Sequence, residues 1–151
     1  MNYEMEGSKC YGDNSGGDSQ NSCDIYGRLY DWNMAIDVCP SSWHLPNLAE
    51  WKEMMNYIGD GNANGEKLKA KEGWSNSNGT DEYGFSALPG GLGIYYGNNY
   101  DFYDAGKGGY WWTADEYDNG NSRNWYMWDT DTDGDYNGKL NLYSVRCVRN
   151  H

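Results

Sequence analysis

The sequence predicts an α+β domain, helices first and strands after, and three observations carry that expectation. Apolar residues recur at helical spacing in two early segments, and beyond Gly73 they give way to short aromatic runs separated by Gly, Asn and Asp. The core material is aromatic: 8 Trp, 15 Tyr and 2 Phe make up 17 % of a chain whose hydrophobic total is 38 % and whose mean hydropathy is −0.99. A length of 151 residues accommodates one domain over residues 1–151, and the ring area is enough to order it despite 21 glycines.

Residues 7–24, "GSKCYGDNSGGDSQNSCD", are dense in turn formers and predict a loop. Ile25, Leu29, Trp32, Ile36 and Cys39 then fall at helical spacing as far as Pro40, which predicts a first helix. A second is better delimited. Asn47 can cap it, Glu50 stands three residues on in capping-box position, Leu48, Trp51, Met54, Met55 and Ile58 line one face, and Gly59 stops it. That stripe is core rather than a cofactor-binding surface. His44, inside "SSWHLP", is expected to be buried and hydrogen-bonded rather than catalytic.

After Gly73, "YGFSALPGG", "GGYWWTADE", "RNWYMWD" and "LYSVRCV" predict strands of an antiparallel sheet. Strand alternation in "NWYMWDT" puts Trp125 and Met127 on one face and Tyr126 and Trp128 on the other. Only one face can be core. Tyr126 and Trp128 are the pair expected outside, because a tyrosine hydroxyl tolerates water and a Trp beside an acidic loop makes a contact anchor.

The net charge of −12, with a pI near 4.3, repels phosphate backbones and anionic headgroups, so neither nucleic acid nor a membrane surface is an expected partner. No segment approaches the roughly 20 apolar residues of a spanning helix. The opening "MNYEMEGSKCYG" carries no signal-peptide apolar block, which leaves a cytosolic chain or an excised mature domain. The cysteines favour the second. Cys10, Cys23, Cys39 and Cys147 form no CxxC pair and do not cluster with the two histidines, so zinc is not expected. Of the three possible pairings, Cys10–Cys23 with Cys39–Cys147 is preferred: the first closes a loop too polar to hold itself, and the second ties the chain's end to its first third. Such staples imply an oxidising compartment, extracellular or at the cell surface. Four reduced buried thiols are the alternative.

"CPSSWHLPNLAEW", "LKAKEGW", "GTDEYGFSALPGG", "GGYWWTADE" and "SVRCV" stand in an order that resembles the Fibrobacter succinogenes major paralogous domain, a branch of the C-type lectin-like fold, from Asn2 to Val148. The resemblance implies a Cys39–Cys147 pair and a smaller Cys10–Cys23 pair, in agreement with the pairing above. It also implies an upstream first strand that this chain's opening lacks. Ser42 stands where a glycine is usual, and "WWTADE" where "WWSATE" is common.

In C-type lectin-like domains the segments before the last strand bind ligand, here roughly Tyr95 to Asn137. The Glu-Pro-Asn and Trp-Asn-Asp patterns of calcium-dependent sugar binders are absent. A different calcium signal is present: Asp129, Asp131, Asp133 and Gly134 match positions 1, 3, 5 and 6 of an EF-hand-like loop, although Leu140 replaces the bidentate Glu at position 12. A solvated hairpin tip is preferred to that metal site, and no cofactor is expected. Seventeen of the twenty-one residues from Tyr117 to Asn137 are Asn, Asp, Tyr, Ser, Thr or Gly, the exceptions being Arg123, Trp125, Met127 and Trp128. That composition is paratope-like. It resembles the variable proteins of diversity-generating retroelements, with "NSRNW" similar to their core, although "YYGNNYDFYD" has a similar bias. The expected contact set is Tyr110, Trp112, Tyr117, Asp118, Asn119, Asn121, Asn124, Tyr126, Trp128 and Asp129, and the expected partner is a protein or glycan ligand. A sugar-binding reading would stack Trp112, Trp125 or Trp128 on pyranose faces; a structural surface module is the other alternative. Enzyme readings are disfavoured. The related formylglycine-generating chemistry needs free cysteines, and carboxylate pairs drawn from Asp115, Glu116 and Asp118 are expected by chance among 23 acidic residues.

Overall fold

The computed structural model describes residues 1, 3–13, 19–59, 65–129 and 131–151. Its elements run α1 (Ser19–Tyr26), α2 (Trp32–Asp37), β1 (Trp43–His44), α3 (Leu48–Tyr57), β2 (Gly90–Tyr96), β3 (Asn99–Ala105), β4 (Gly109–Glu116), β5 (Asn121–Met127), β6 (Thr132–Gly138) and β7 (Val148–Arg149). Helices precede the main sheet, as the pattern of an α+β chain requires.

The spacing from Ile25 to Cys39 does not make one helix. α1 ends at Tyr26, and Gly27 turns left-handed (φ +81°), a conformation open to glycine at little cost. Leu29 and Tyr30 then bridge to Lys9 and Tyr143 before α2 restarts under Asp31, whose carboxylate accepts the Met34 N–H at 2.9 Å. The break is tertiary in origin. Tyr30 is wholly buried, exchanges backbone hydrogen bonds with Tyr143 and donates its hydroxyl to the Tyr3 carbonyl at 2.6 Å, partners that a continuous helix would deny it. Ile25 and Ile36, which the spacing counted as core, are exposed. α1 begins inside the segment expected to be loop, of which residues 14–18 lie outside the described residues.

α3 follows its sequence closely. Asn47 accepts the Glu50 N–H at 2.9 Å and Glu50 accepts the Asn47 N–H at 2.8 Å, which closes the capping box. Trp51, Met55 and Ile58 are buried. The Leu48 N–H donates to Asp115 at 2.6 Å, so this carboxylate docks the helix start onto β4.

The main sheet has the order β3-β2-β4-β5-β6 and is mixed rather than purely antiparallel, because β2 and β4 run parallel through the single pair Gly91↔Gly109. Residues 142–144 fill the gap alongside. Leu142 bridges Gly93, and Ser144 donates to the Tyr110 carbonyl and accepts the Trp112 N–H. "LYSVRCV" is therefore buried along its first half but forms regular pairs only at β7, with β1. "YGFSALPGG" joins the sheet only at Gly90.

Alternation along β4 divides the interior into two cores. Trp111 faces α3 and packs with Trp51, Trp74, Trp125 and Met127; the Trp51 and Trp125 rings stack at 5.8 Å. Trp112 faces the other way, among Tyr30, Ala35, Leu45, Tyr143 and Val145, stacked on Tyr143 at 4.3 Å. Both preferred disulfides are formed, Cys10–Cys23 and Cys39–Cys147. The second joins the end of α2 to the segment before β7, where the Met1 ammonium donates to the Val145 carbonyl at 3.2 Å.

His44 is hydrogen-bonded as expected but not buried, its side chain being 41 % exposed. Its ring nitrogens meet Glu50 at 2.8 Å and Asn150 at 2.7 Å, and the bond to Glu50, followed by that to Asn150, raises its pKa. For Glu50, burial pushes upward but is outweighed by the Asn47 N–H and by His44, so its carboxyl is held low. The signs define a window. The His44 contribution is complete below its unfolded pKa of about 6.5 and is lost as pH rises through the higher folded value; that of Glu50 is present above about 4.3 and lost as pH falls through its lower folded value. Stability is therefore expected to slip as pH rises from about 6 to 8, by less than about 1 kcal/mol because the pair is solvent-screened. Urea midpoints against pH measure it, and a His44→Gln variant that kept the same slope would refute the assignment.

Candidate functional site

The face of the β4-β5-β6 unit turned away from α3 carries the candidate site. On β5, Trp125 and Met127 are buried beneath α3, whereas Tyr126 and, just past the strand, Trp128 are half-buried on the opposite side. Strand register aligns Tyr110, Tyr126 and Asp133 in one row and Trp112, Asn124 and Asp135 in the next. The second row is buried at Trp112 and Asn124 and emerges to solvent at Asp135, while the first opens to solvent. Tyr110, Tyr126, Trp128, Asp131 and Asp135 line a cleft there of about 260 Å³.

Each wall has a local cause. The Trp128 and Tyr110 rings close over Gly108: a Cβ at that position would meet Trp128 Cε3 at 2.5 Å and Tyr110 Cε2 at 3.0 Å, so any larger residue would displace the rings. Asp104 adopts φ +70°, a left-handed conformation that aspartate tolerates better than most residues, and it accepts the Tyr110 hydroxyl at 3.0 Å. Tyr126 donates its hydroxyl to Asp131 at 2.9 Å. Thr132 accepts the Trp125 indole N–H and donates to the Tyr126 carbonyl, which locks the β5–β6 turn from below. Buried Lys69 donates to the Trp128 carbonyl at 2.5 Å and the Asp129 carbonyl at 3.1 Å, with its ammonium 4.6 Å from the Trp74 ring centroid.

The cleft is strongly negative. Partial burial, the bond to Asp131 and the charges of Asp131, Asp133 and Asp135 push the Tyr126 hydroxyl up to about 12. Burial first, then Asp104, raises Tyr110 further. Both phenols therefore stay neutral donors across the physiological range.

The expected contact set does not form one surface. Tyr110, Tyr126, Trp128 and Asp129 lie at one end of the strands, and Tyr117, Asp118, Asn119 and Asn121 lie about the β4–β5 turn at the other. Six residue steps along β4 lead from Tyr110 to Glu116, about 20 Å at the usual strand rise. Asp118 builds that turn, accepting the Gly120 and Asn121 N–H groups at 2.8 Å, while Tyr117 stacks on Tyr136 at 4.0 Å with Arg123 above it. Two assignments are corrected outright. Trp112 is 0 % exposed and donates its indole N–H to the Tyr30 carbonyl at 2.8 Å, and Asn124 is 1 % exposed and bonded to Asn137. Both lie on the cleft face of the strands but in its covered part, Trp112 beneath Tyr30 and Tyr143 and Asn124 beside Asn137, where no ligand reaches. Trp125 is buried too, which leaves Trp128 alone of the three rings named for sugar stacking.

Of the EF-hand-like set, Asp133 lies on extended β6, paired with Tyr126, and Asp131 accepts the Tyr126 hydroxyl. Thr130 lies outside the described residues. Among the described residues no group of three or more His, Cys, Asp or Glu side chains is placed to hold a metal, and no helix is long and apolar enough to cross a membrane. Asp135 escaped the sequence reading although alternation from Asp133 puts it on the same face. Asp104 and Lys69 reach the site only through the fold.

The fold and this face define a disulfide-stapled α+β domain with a mixed sheet that displays rings and carboxylates on one side. The chain belongs to the Fibrobacter succinogenes major domain family, whose model matches residues 2–149. No curated protein and no solved structure matches the chain.

Proposed function

We propose that this chain is a non-enzymatic, ligand-binding C-type lectin-like domain, working outside the cell or at its surface, and that its contact surface is the Tyr110–Tyr126–Trp128 cleft. The observation that carries this reading is the asymmetry of β5: its α3-side rings are core, and its other rings are left half-exposed around an open cleft. Support for the fold comes from the way Cys39–Cys147 and the β1–β7 pair hold the end of the chain to its first third beside a sheet that carries the surface. The two disulfides support an oxidising compartment. Rigid Tyr and Trp among Asp and Asn favour a protein ligand. A glycan is the second reading, favoured by Trp128 standing beside acceptor carboxylates. Diversification by a retroelement would fall on the exposed Tyr117–Asn121 turn; a near-copy of the 3′ coding segment beside a reverse transcriptase gene would support it.

Selection from a random peptide library and from a glycan array, with the native domain as bait, tests the surface. A Tyr126→Ala/Trp128→Ala domain is expected to lose the ligands enriched by the native one, with Tm lowered by no more than about 5 °C because neither ring is core. Retention of those ligands would place the contact surface elsewhere.

A further inference from the structure

We infer that the cleft between Tyr110, Tyr126 and Trp128 receives the cationic side chain of a protein partner, a lysine or an arginine. The inference rests on the binding reading above and names the chemistry recognised. Three of the five lining residues are aromatic and the other two, Asp131 and Asp135, are carboxylates; no basic side chain is among them. Aromatic rings attract cations through their quadrupoles, and that attraction grows when the site is partly desolvated. Asp133, in register with Tyr126, and Asp104, bonded to Tyr110, add negative charge at the margins. Lys69 lies behind the hairpin with its ammonium directed at the Trp128 and Asp129 carbonyls, and Lys52 lines a separate cavity on the α3 side of Asp131 and Asp133.

Competing ligands fit less well. An anion would meet the Asp131 and Asp135 carboxylates, and a bare metal ion would find no group of three ligands converging among the described residues. A neutral apolar group would leave Asp131 and Asp135 partly desolvated without a counter-charge. An ammonium or guanidinium answers both the rings and the carboxylates. The chain's net charge of −12 steers a basic protein surface toward such a site and a nucleic acid or anionic surface away from it. The tyrosines remain neutral and supply ring faces without competing for the incoming charge.

The test uses the whole domain and three blocked tripeptides, acetyl-Gly-Xaa-Gly-amide with Xaa lysine, arginine or norleucine, titrated against a 15N spectrum at low salt. The lysine or arginine peptide is expected to shift the Trp128 indole N–H and the amides around Tyr110 and Tyr126 saturably, and to bind at least about tenfold more tightly than the uncharged norleucine peptide. Raising NaCl to about 0.5 M is expected to erase most of that preference. An Asp131→Asn/Asp135→Asn variant is expected to lose it as well. Each amide keeps an acceptor for the Tyr126 hydroxyl and the Tyr136 N–H, and the spectrum itself reports whether the fold survives. Equal binding of the norleucine peptide, shifts that map away from Trp128, or an undiminished preference in the amide variant would each overturn the inference. The native-protein comparison does so even if the variant fails to fold. Should Tyr126→Ala/Trp128→Ala abolish library binding while lysine and norleucine peptides bind alike, the face would stand and the cation specificity would fall.

Discussion

Replacing Cys39 and Cys147 with alanine is expected to lower the unfolding free energy by about 4 to 5 kcal/mol. The bridge spans 108 residues, and a loop of that length confines the unfolded ensemble far more than the 13-residue separation of Cys10 and Cys23, for which about 3 kcal/mol is expected. The consequence in the folded state is local. Without the bridge the region around β7 is still held by the two-residue β1–β7 pairing, the Asn150 bonds to Ser42 and His44, and the Met1–Val145 bond. Urea unfolding of the double variant, with non-reducing peptide mapping of the native protein to recover the linked fragments, measures the effect. A loss below about 1 kcal/mol would show that the tertiary contacts alone secure the chain's end.

Trp112→Ala is expected to cost about 3 to 5 kcal/mol and to lower Tm by on the order of 10 °C. The ring is fully buried against Tyr143 at 4.3 Å, and its removal would leave both a cavity and the Tyr30 carbonyl without its indole donor. This outcome separates Trp112 from the rings around the cleft. At Tyr126 and Trp128 the expected loss is of binding with little loss of stability; at Trp112 it is of stability, whatever the ligand. A Trp112→Ala domain that melted like the native one would restore this residue to the contact set and displace the division of the two cores drawn from β4.

Adjacent tryptophans on β4 have opposite environments because strand side chains alternate, and the sequence shows that alternation without showing which neighbour covers which face. For "NWYMWDT" the choice could be made, since apolar Trp125 and Met127 alternate with a hydroxyl-bearing Tyr126. For "YWWTADE" it could not, because Trp111 and Trp112 are chemically identical and both faces of β4 are covered, one by α3 and one by Tyr30 and Tyr143. Asn124 misled for the same reason: an asparagine reads as surface until a strand neighbour such as Asn137 satisfies its amide inside.

By itself the sequence determined what local chemistry determines: α3 and its capping box, the change from helix to strand after Gly73, the pairing of four cysteines whose intervening loops differ so much in length, and the burial of Trp125 and Met127. These depend on contacts a few residues apart or on covalent constraint. Tertiary structure alone decided what depends on distant partners. It broke the Ile25–Cys39 pattern into two helices by drawing Tyr30 to Tyr143, and it inserted residues 142–144 beside the diverging strands β2 and β4. It also separated Tyr117 from Tyr110 by the length of β4, and it brought Lys69 and Asp104 to a cleft that neither neighbours in the chain. The physical reason is that strand pairing and core packing act between residues far apart in sequence, so a side chain's face is set by what arrives opposite it rather than by the letters beside it.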